Sequence, residues 1–369
     1  MAGLRLVHTA DVHLGYSSQA FGPAAPEHRR RVQQAFERCL AVGRERGARL
    51  LVIAGDLFDS DRPPERVAQW ASAALRNLAT GSSPVVTVLA PGTHDPVVPG
   101  SVYRRWLDEG LPPGVHLLYE EQPAVQLPDL HTTVTFTTDI RELRPDPAAR
   151  FNLGLLHGSE HRPGQIEADH VMFTREQIAA TGVDYLAVGH WHGFGDYSQG
   201  KVVALYPGSP EILALDQTDY GHALLAELSA DASPRWERVL TGSLRCSRRE
   251  LDVADLRSSE ELIQELLQLA DPDTILDARL TGLAAPDLVL DLDEILERVA
   301  SYFFRLRLVD ESHLSWDGTA PEPTGLVSAR FRELMRARYE SAGSDEERHQ
   351  IEAAQRLGLA LLGGKEVLE

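Results

Sequence analysis

The chain reads as an α/β core followed by a small α+β unit and closing helices. Three patterns predict this. Short apolar runs recur through the first 190 residues, and each ends in polar residues. Helical apolar spacing separates the early runs. Beyond residue 246, alternating runs flank one helical stretch.

The first run, residues 4–8, leads into Thr9-Ala10-Asp11-Val12-His13. Residues 28–46 then place Val32, Ala35, Phe36, Cys39 and Leu40 on one helical face. The second run, 50–53, ends in Ala54-Gly55-Asp56, and residues 64–79 repeat the helical pattern with Val67, Trp70, Ala71, Ala74 and Leu78. The third run, 85–89, leads into Pro91-Gly92-Thr93-His94-Asp95; the fourth, 153–156, into His157; the fifth, 185–188, into Gly189-His190-Trp191-His192. In the second unit residues 274–283 and 302–310 alternate like strands around a helix at 291–301. Residues 318–323 read as a linker. Two helices close the chain, one carrying Val327, Phe331 and Leu334 and the other Ile351, Ala354, Leu357 and Leu361. No repeat or low-complexity tract occurs.

The 369 residues, 43% hydrophobic and 25% charged, have ordinary globular composition. No apolar run approaches the roughly 20 residues that span a bilayer, and no signal-like segment opens the sequence, so a cytoplasmic protein without a membrane role is expected. Two cysteines, Cys39 and Cys246, cannot supply a metal knuckle or a disulfide framework. The net charge of −19 argues against binding a polyanion by bulk attraction. It does not exclude a nuclease, because bound divalent cations supply positive charge that the sequence omits. The excess is uneven: residues 251–300 carry 3 basic and 13 acidic side chains, so nucleic acid would bind elsewhere. Arg29-Arg30-Arg31 and Arg104-Arg105 are candidate phosphate contacts, with solvated helix faces as the plainer reading. Tyr16 and Phe21 are candidates for contacting bases, with packing as the rival.

The polar residues at the five run ends are the central observation. In an α/β sheet, ligands sit beyond the carboxyl ends of the strands, and here those ends carry carboxylates and imidazoles. Such donors suit borderline divalent metals. On an extended segment, alternate side chains point the same way, so Asp11-x-His13 and His190-x-His192 can each offer two ligands to one ion. Five of the fourteen histidines lie in these motifs.

The ordered set D-x-H, G-D-x-x-D, G-T-H-D, H, G-H-x-H resembles the calcineurin-like metallophosphoesterase superfamily. Thr9-Ala10-Asp11-Val12-His13-Leu14-Gly15, Ala54-Gly55-Asp56-Leu57-Phe58-Asp59 and Tyr206-Pro207-Gly208-Ser209-Pro210-Glu211 are similar to the SbcD-type DNA repair exonucleases. The resemblance implies a layered sandwich of two mixed sheets flanked by helices. It also implies three segments: a nuclease domain over 1–245, a capping domain over 246–318, and a C-terminal helical segment over 319–369 that could dock on a partner ATPase. The activity implied is metal-dependent DNA exonuclease or endonuclease cleavage in DNA repair, alongside an SMC-like coiled-coil ATPase. A homodimer is compatible with the same resemblance.

The resemblance also distributes roles. Asp11, His13 and His192 would hold one divalent ion, His157 and His190 the other, and Asp56 would bridge them. Manganese is the first expectation, with iron, zinc or magnesium as alternatives. Such a pair activates water and stabilises charge during displacement at phosphorus. His94 would act at the leaving oxygen as acid or charge stabiliser, and Asp95 would orient His94. Asp59 would either tune the site or cap a helix. One position departs from the family. Thr93 stands where an Asn usually gives its carbonyl oxygen to the second metal, and a shorter neutral hydroxyl predicts a weakened second site. Two rivals stay open: a small-molecule phosphoesterase of the same fold, and a DNA-end-binding scaffold.

Overall fold

The computed structural model describes residues 3–362 except 82, 163, 165, 167–170, 216, 218, 231, 285–287 and 315–325. The linker expected at 318–323 lies outside the described residues. The chain divides into two compact units, Met1–Leu244 and Arg245–Glu369.

The first unit runs β1 (Leu4–Thr9), α1 (Ala25–Glu45), β2 (Leu50–Ala54), α2 (Glu65–Leu78), β3 (Val86–Ala90), α3 (Val102–Glu109), β4 (Val115–Leu117), β5 (Ala124–Leu127), β6 (Thr132–Phe136), β7 (Phe151–His157), α4 (Arg175–Thr181), β8 (Tyr185–Gly189), β9 (Gly195–Asp196), β10 (Val203–Tyr206), β11 (His222–Ser229) and β12 (Ala232–Leu240). Two six-stranded mixed sheets result. One has the order β12-β11-β1-β2-β3-β4, with β1 to β4 parallel and β11 antiparallel to both β1 and β12. The other has the order β9-β10-β8-β7-β6-β5, with antiparallel strands only at its two edges.

Burial on both faces explains why the sequence shows continuous apolar runs instead of alternation. Leu6, Leu50, Val52 and Val88 face Val134, Leu153, Leu155, Tyr185 and Leu205 between the sheets. The intervening Val7, Leu51, Ile53 and Leu89 face outward, onto Val32, Phe36, Cys39 and Leu75 of the helices. Leu156, Leu186, Val188 and Ala204 pack on Ile178 on the far side of the second sheet. The central strands β1, β2, β3, β7 and β8 therefore end in register, and their carboxyl ends deliver the polar residues to one edge of the sandwich.

The second unit contains β13 (Arg245–Asp252), α5 (Ser259–Gln268), β14 (Asp271–Thr281), α6 (Leu292–Val299), β15 (Phe303–Asp310), α7 (Leu326–Ser341) and α8 (Asp345–Leu362). β13, β14 and β15 form a parallel three-stranded sheet. Leu262, Ile263, Leu266, Ile295 and Val299 of the crossover helices cover Leu276, Ala278, Leu280 and Leu308. Gly358 of α8 lies directly against the ring of Phe331 in α7, a contact a Cβ would block. No helix among the described residues is long and apolar enough to cross a membrane.

Glu211 secures the end of the first unit. Its carboxylate is fully buried and accepts from Ser243 N (2.7 Å), Ser243 Oγ (2.9 Å), Ile212 N (3.1 Å) and Leu244 N (3.2 Å). Burial raises its pKa, against the pull of those four donors. Glu211→Ala strands several buried donors and should cost about 3 kcal/mol, with Glu211→Gln costing less. Urea denaturation checks this, and equal midpoints for Ala and wild type would remove the role.

Candidate metal centre

Two loops zip together to begin the site. Asp11 N donates to Gly55 O (3.2 Å), Val12 N and His13 N to Asp56 O (2.9 and 3.0 Å), Leu14 N to Leu57 O (2.9 Å), and Asp59 N to Leu14 O (3.1 Å). The segments beyond β1 and β2 thus stay paired after the strands end. Asp11, His13 and Asp56 all have φ near +52°, a region costly for residues with a Cβ, so the surrounding hydrogen bonds must hold them there. The space is equally constrained. A Cβ on Gly92 would collide with the Asp56 carboxylate, and one on Gly189 with Ala54 O.

The side chains converge. Ligand atoms of Asp11, His13 and His192 lie within 4.8 Å of one another, as do those of Asp11, Asp56 and His157, and those of His13, Asp56 and His94. Asp56 and His13 each belong to two groups, so the three are continuous. Among the described residues His190 joins none of them. Its ring stands edge-on to His157, with centroids 5.2 Å apart, and its backbone N–H donates to Asp11 Oδ1 and Oδ2 at 3.0 and 3.1 Å. Thr93 turns its hydroxyl to Asp56 Oδ2 at 3.4 Å.

The protonation pattern fits a cation. His157 Nδ1 donates to the Ala54 carbonyl (2.9 Å) and His13 Nδ1 to the Asp59 carboxylate (3.1 Å). Those acceptors carry no hydrogen, so Nε2 is the outward nitrogen in both rings. Both Nε2 atoms are buried without a hydrogen-bond partner, and they face Asp56 Oδ2 at 3.8 Å (His13) and 3.2 Å (His157). Burial opposes charge on His157, but Asp56 and Asp11 outweigh it and raise the pKa to about 9. His13 is raised in the same way, with burial outweighed by Asp59, Asp56 and Asp11. His192 is lowered, chiefly by burial. Asp56 is held well below the usual carboxylate range: burial opposes this, and the His157 and His13 rings outweigh it. Protons on buried imidazoles beside carboxylates occupy the place that a divalent ion takes on exchange. Asp11, His13, Asp56, His157 and His192 therefore suit a borderline divalent metal.

The geometry corrects one expectation. Asp95 does not touch the His94 ring. Its fully buried carboxylate accepts from Gly92 N (2.7 Å), Phe58 N (3.0 Å) and Tyr103 OH (2.7 Å), so it builds the 92–95 turn. Burial and the Asp56 charge push its pKa up to about 6. The backbone carbonyl of Asp59 orients His94 instead, accepting from Nδ1 at 3.2 Å, while the Asp59 carboxylate holds His13. Asp59 belongs to the site and does not cap a helix. Gln217 joins the site without any signal in the sequence. Its amide nitrogen meets His192 Nδ1, and its Oε1 accepts from Leu213 N (2.7 Å). No local motif marks this residue, 25 positions after its partner.

Several of the other candidates are engaged elsewhere. Arg30 and Arg31 pair with Glu27, and Arg105 with Glu65. Phe21 is buried and stacked on His28 at 3.8 Å between centroids. Burial pushes the Cys39 thiol up to about 11.

The profile of the calcineurin-like phosphoesterases matches residues 4–194. A Methanopyrus kandleri protein named DNA double-strand break repair protein Mre11 is 30% identical over 241 residues, covering 57% of this chain and 49% of that protein. The chain thus spans about half the length of that relative. A Bacillus subtilis protein named uncharacterized metallophosphoesterase YhaO is 22% identical, covering 95% of this chain and 92% of its own length. A Rhodobacter capsulatus component of the nuclease SbcCD is 26% identical over 63% of this chain and 68% of its own.

Metal binding has a direct thermal readout. Mn²⁺ at a hundred times its Kd adds about 2.7 kcal/mol, which raises Tm by roughly 5–10 °C in a unit of this size. Asp56→Ala should abolish the shift. An equal shift in that variant would locate the ion elsewhere.

Proposed function

The chain belongs to the calcineurin-like phosphoesterase family of hydrolases, and on that premise we propose that it cleaves DNA phosphodiester bonds with a pair of divalent ions, manganese first among them. The observation that carries the reading is the continuous set of buried donors around Asp56, with His94 beside it. Asp11, His13 and His192 would hold one ion, His157 and His190 the other with Thr93 beside it, and Asp56 would serve both. When bound, the ions supply Lewis acidity and an activated water.

The chain's own residues supply the rest. Asp59 O accepts a hydrogen bond from His94 Nδ1, so Nε2 is the nitrogen presented to substrate. The His94 side chain is 49% exposed and its ring stands 4.7 Å from that of His13. From there a protonated Nε2 can donate to the departing oxygen, or its charge can stabilise it. Asp59 and Gln217 fix His13 and His192, which keeps the donors from rearranging as charge develops. Asp95 keeps the turn that carries Thr93 and His94 in shape.

The relatives named Mre11 and SbcCD support DNA as substrate and an ATPase as partner. Residues 246–318 would act as the capping segment and 319–369 as the docking segment. Exposed apolar side chains on the closing helices, Val327, Leu334 and Leu361, support docking. A small-molecule phosphoesterase is the second reading. It is favoured by a cavity of about 260 Å³ lined by Thr93, Val97, Phe136, His157 and Val171.

Two outcomes test the proposal. End-labelled linear DNA should be degraded in Mn²⁺, and His94→Ala should slow this by about 10²–10⁴-fold. Release of p-nitrophenol from a small phosphate ester without any loss of DNA label would favour the second reading. Thr93→Asn should raise the rate at limiting Mn²⁺ and leave it unchanged at saturation. A flat comparison across the titration would show that Thr93 does not weaken the site.

A further inference from the structure

Trp191 lies between His190 and His192 and takes no part in holding the site together. Its side chain is 45% exposed, although every other tryptophan, tyrosine and phenylalanine of the first unit, among the described residues, is buried or half-buried. It is also held in place. The indole Nε1 donates to Ser159 Oγ at 3.1 Å, and Ser159 is fully buried two residues beyond His157. The ring stands edge-on to His190, with centroids 6.3 Å apart at 87°. The indole has one polar group, and Ser159 takes it. What remains is an oriented apolar surface open to solvent beside the phosphate chemistry.

The far side of His157 has a different character. There the cavity that His157 and Thr93 line is rimmed by exposed Glu120 and Glu121, which repel a phosphate backbone. The chain as a whole carries −19, so bulk attraction cannot hold a polyanion. Affinity must come from short-range contacts near the metals. An exposed aromatic face supplies one to any base, because every base has a π-face. Bases inside a duplex are already stacked on their neighbours and cannot offer that face.

Resting on the nuclease reading, we infer that Trp191 is a stacking platform for an unpaired base next to the scissile phosphate. The substrate at the metals is then a single strand or a frayed end.

Two measurements test this. In a His94→Ala background, which slows turnover about 10²–10⁴-fold, ten-nucleotide oligothymidylate with Mn²⁺ should quench indole fluorescence to saturation. The same titration of His94→Ala/Trp191→Phe should show little quenching. In the otherwise wild-type protein, Trp191→Ala should raise KM for oligothymidylate cleavage about tenfold or more. Trp191→Phe should restore it to within about threefold, because phenylalanine keeps an aromatic face. The Mn²⁺-induced rise in Tm should persist in Trp191→Ala, separating a lost platform from a damaged metal centre. Equal quenching in the two proteins that carry His94→Ala, or an unchanged KM in Trp191→Ala while the wild type cleaves DNA, overturns the inference and spares the nuclease reading. Neither binding nor cleavage of any DNA by the wild type overturns the nuclease reading itself, and the platform with it.

Discussion

A buried carboxylate at the ends of converging strands is the constraint around which the first unit is built. Asp56 is 2% exposed, and an ion so placed is tolerable only with compensating charge and hydrogen bonds. The protein supplies both from distant segments. His94 N donates to Oδ1 at 2.8 Å, the Thr93 hydroxyl reaches Oδ2, and the rings of His13 and His157 face it. These groups come from the ends of β1, β3 and β7, in two different sheets. The sandwich must align its strand ends to satisfy this one group. The doubly buried strands, with apolar side chains on both faces, are what make that alignment rigid.

The same constraint explains the backbone around the site. Three residues with side chains sit at φ near +52°, a cost of about 1–3 kcal/mol each. Relaxing them would turn Asp11 or His13 away from Asp56. Gly92 and Gly189 are required by contact, since the Asp56 carboxylate and the Ala54 carbonyl occupy the space a Cβ needs. The glycines beside the ligands are therefore consequences of packing a charged cluster tightly, and the strain follows from the same cause.

This accounts for what was legible in the sequence. The side chains that gather around Asp56 were readable because each follows an apolar run, and burial of a strand on both faces leaves a local signature. The edge strand β13, with polar Arg245, Ser247, Arg248 and Arg249, has no such signature. α5, which follows it, does carry a pattern, with Ser258 as its N-cap and Leu262, Ile263 and Leu266 on one face. The exchange of roles between Asp59 and Asp95 was also hidden. Both are aspartates three positions from a site residue or beside one, and only the turn geometry decides which carboxylate points inward. Asp95 is drawn to Gly92 N, Phe58 N and Tyr103 OH, the last supplied by α3. Gln217 reaches His192 because Leu213 N holds its Oε1, a relation no spacing rule encodes. In the arginine clusters, Arg30 and Arg31 share Glu27 and Arg105 pairs with Glu65, partners that a run of like charge does not announce.

The acidity of the chain then takes on a definite meaning. Asp11, Asp56 and Asp59 bring three carboxylates to one small volume, and only His13 and His157 answer them with raised basicity. On the proposed reading, two divalent ions would bring four positive charges and reverse the sign of this region inside a molecule of net charge −19. A phosphate group would then be drawn to that place despite the acidity of the chain as a whole. Bulk acidity would weaken non-specific adsorption of DNA along the surface, and the local reversal would concentrate what remains at the catalytic edge. In such a protein selectivity for a strand has to be built from contacts within a few ångströms of the metals. The exposed indole of Trp191, between His190 and His192, is placed where that requirement is most acute.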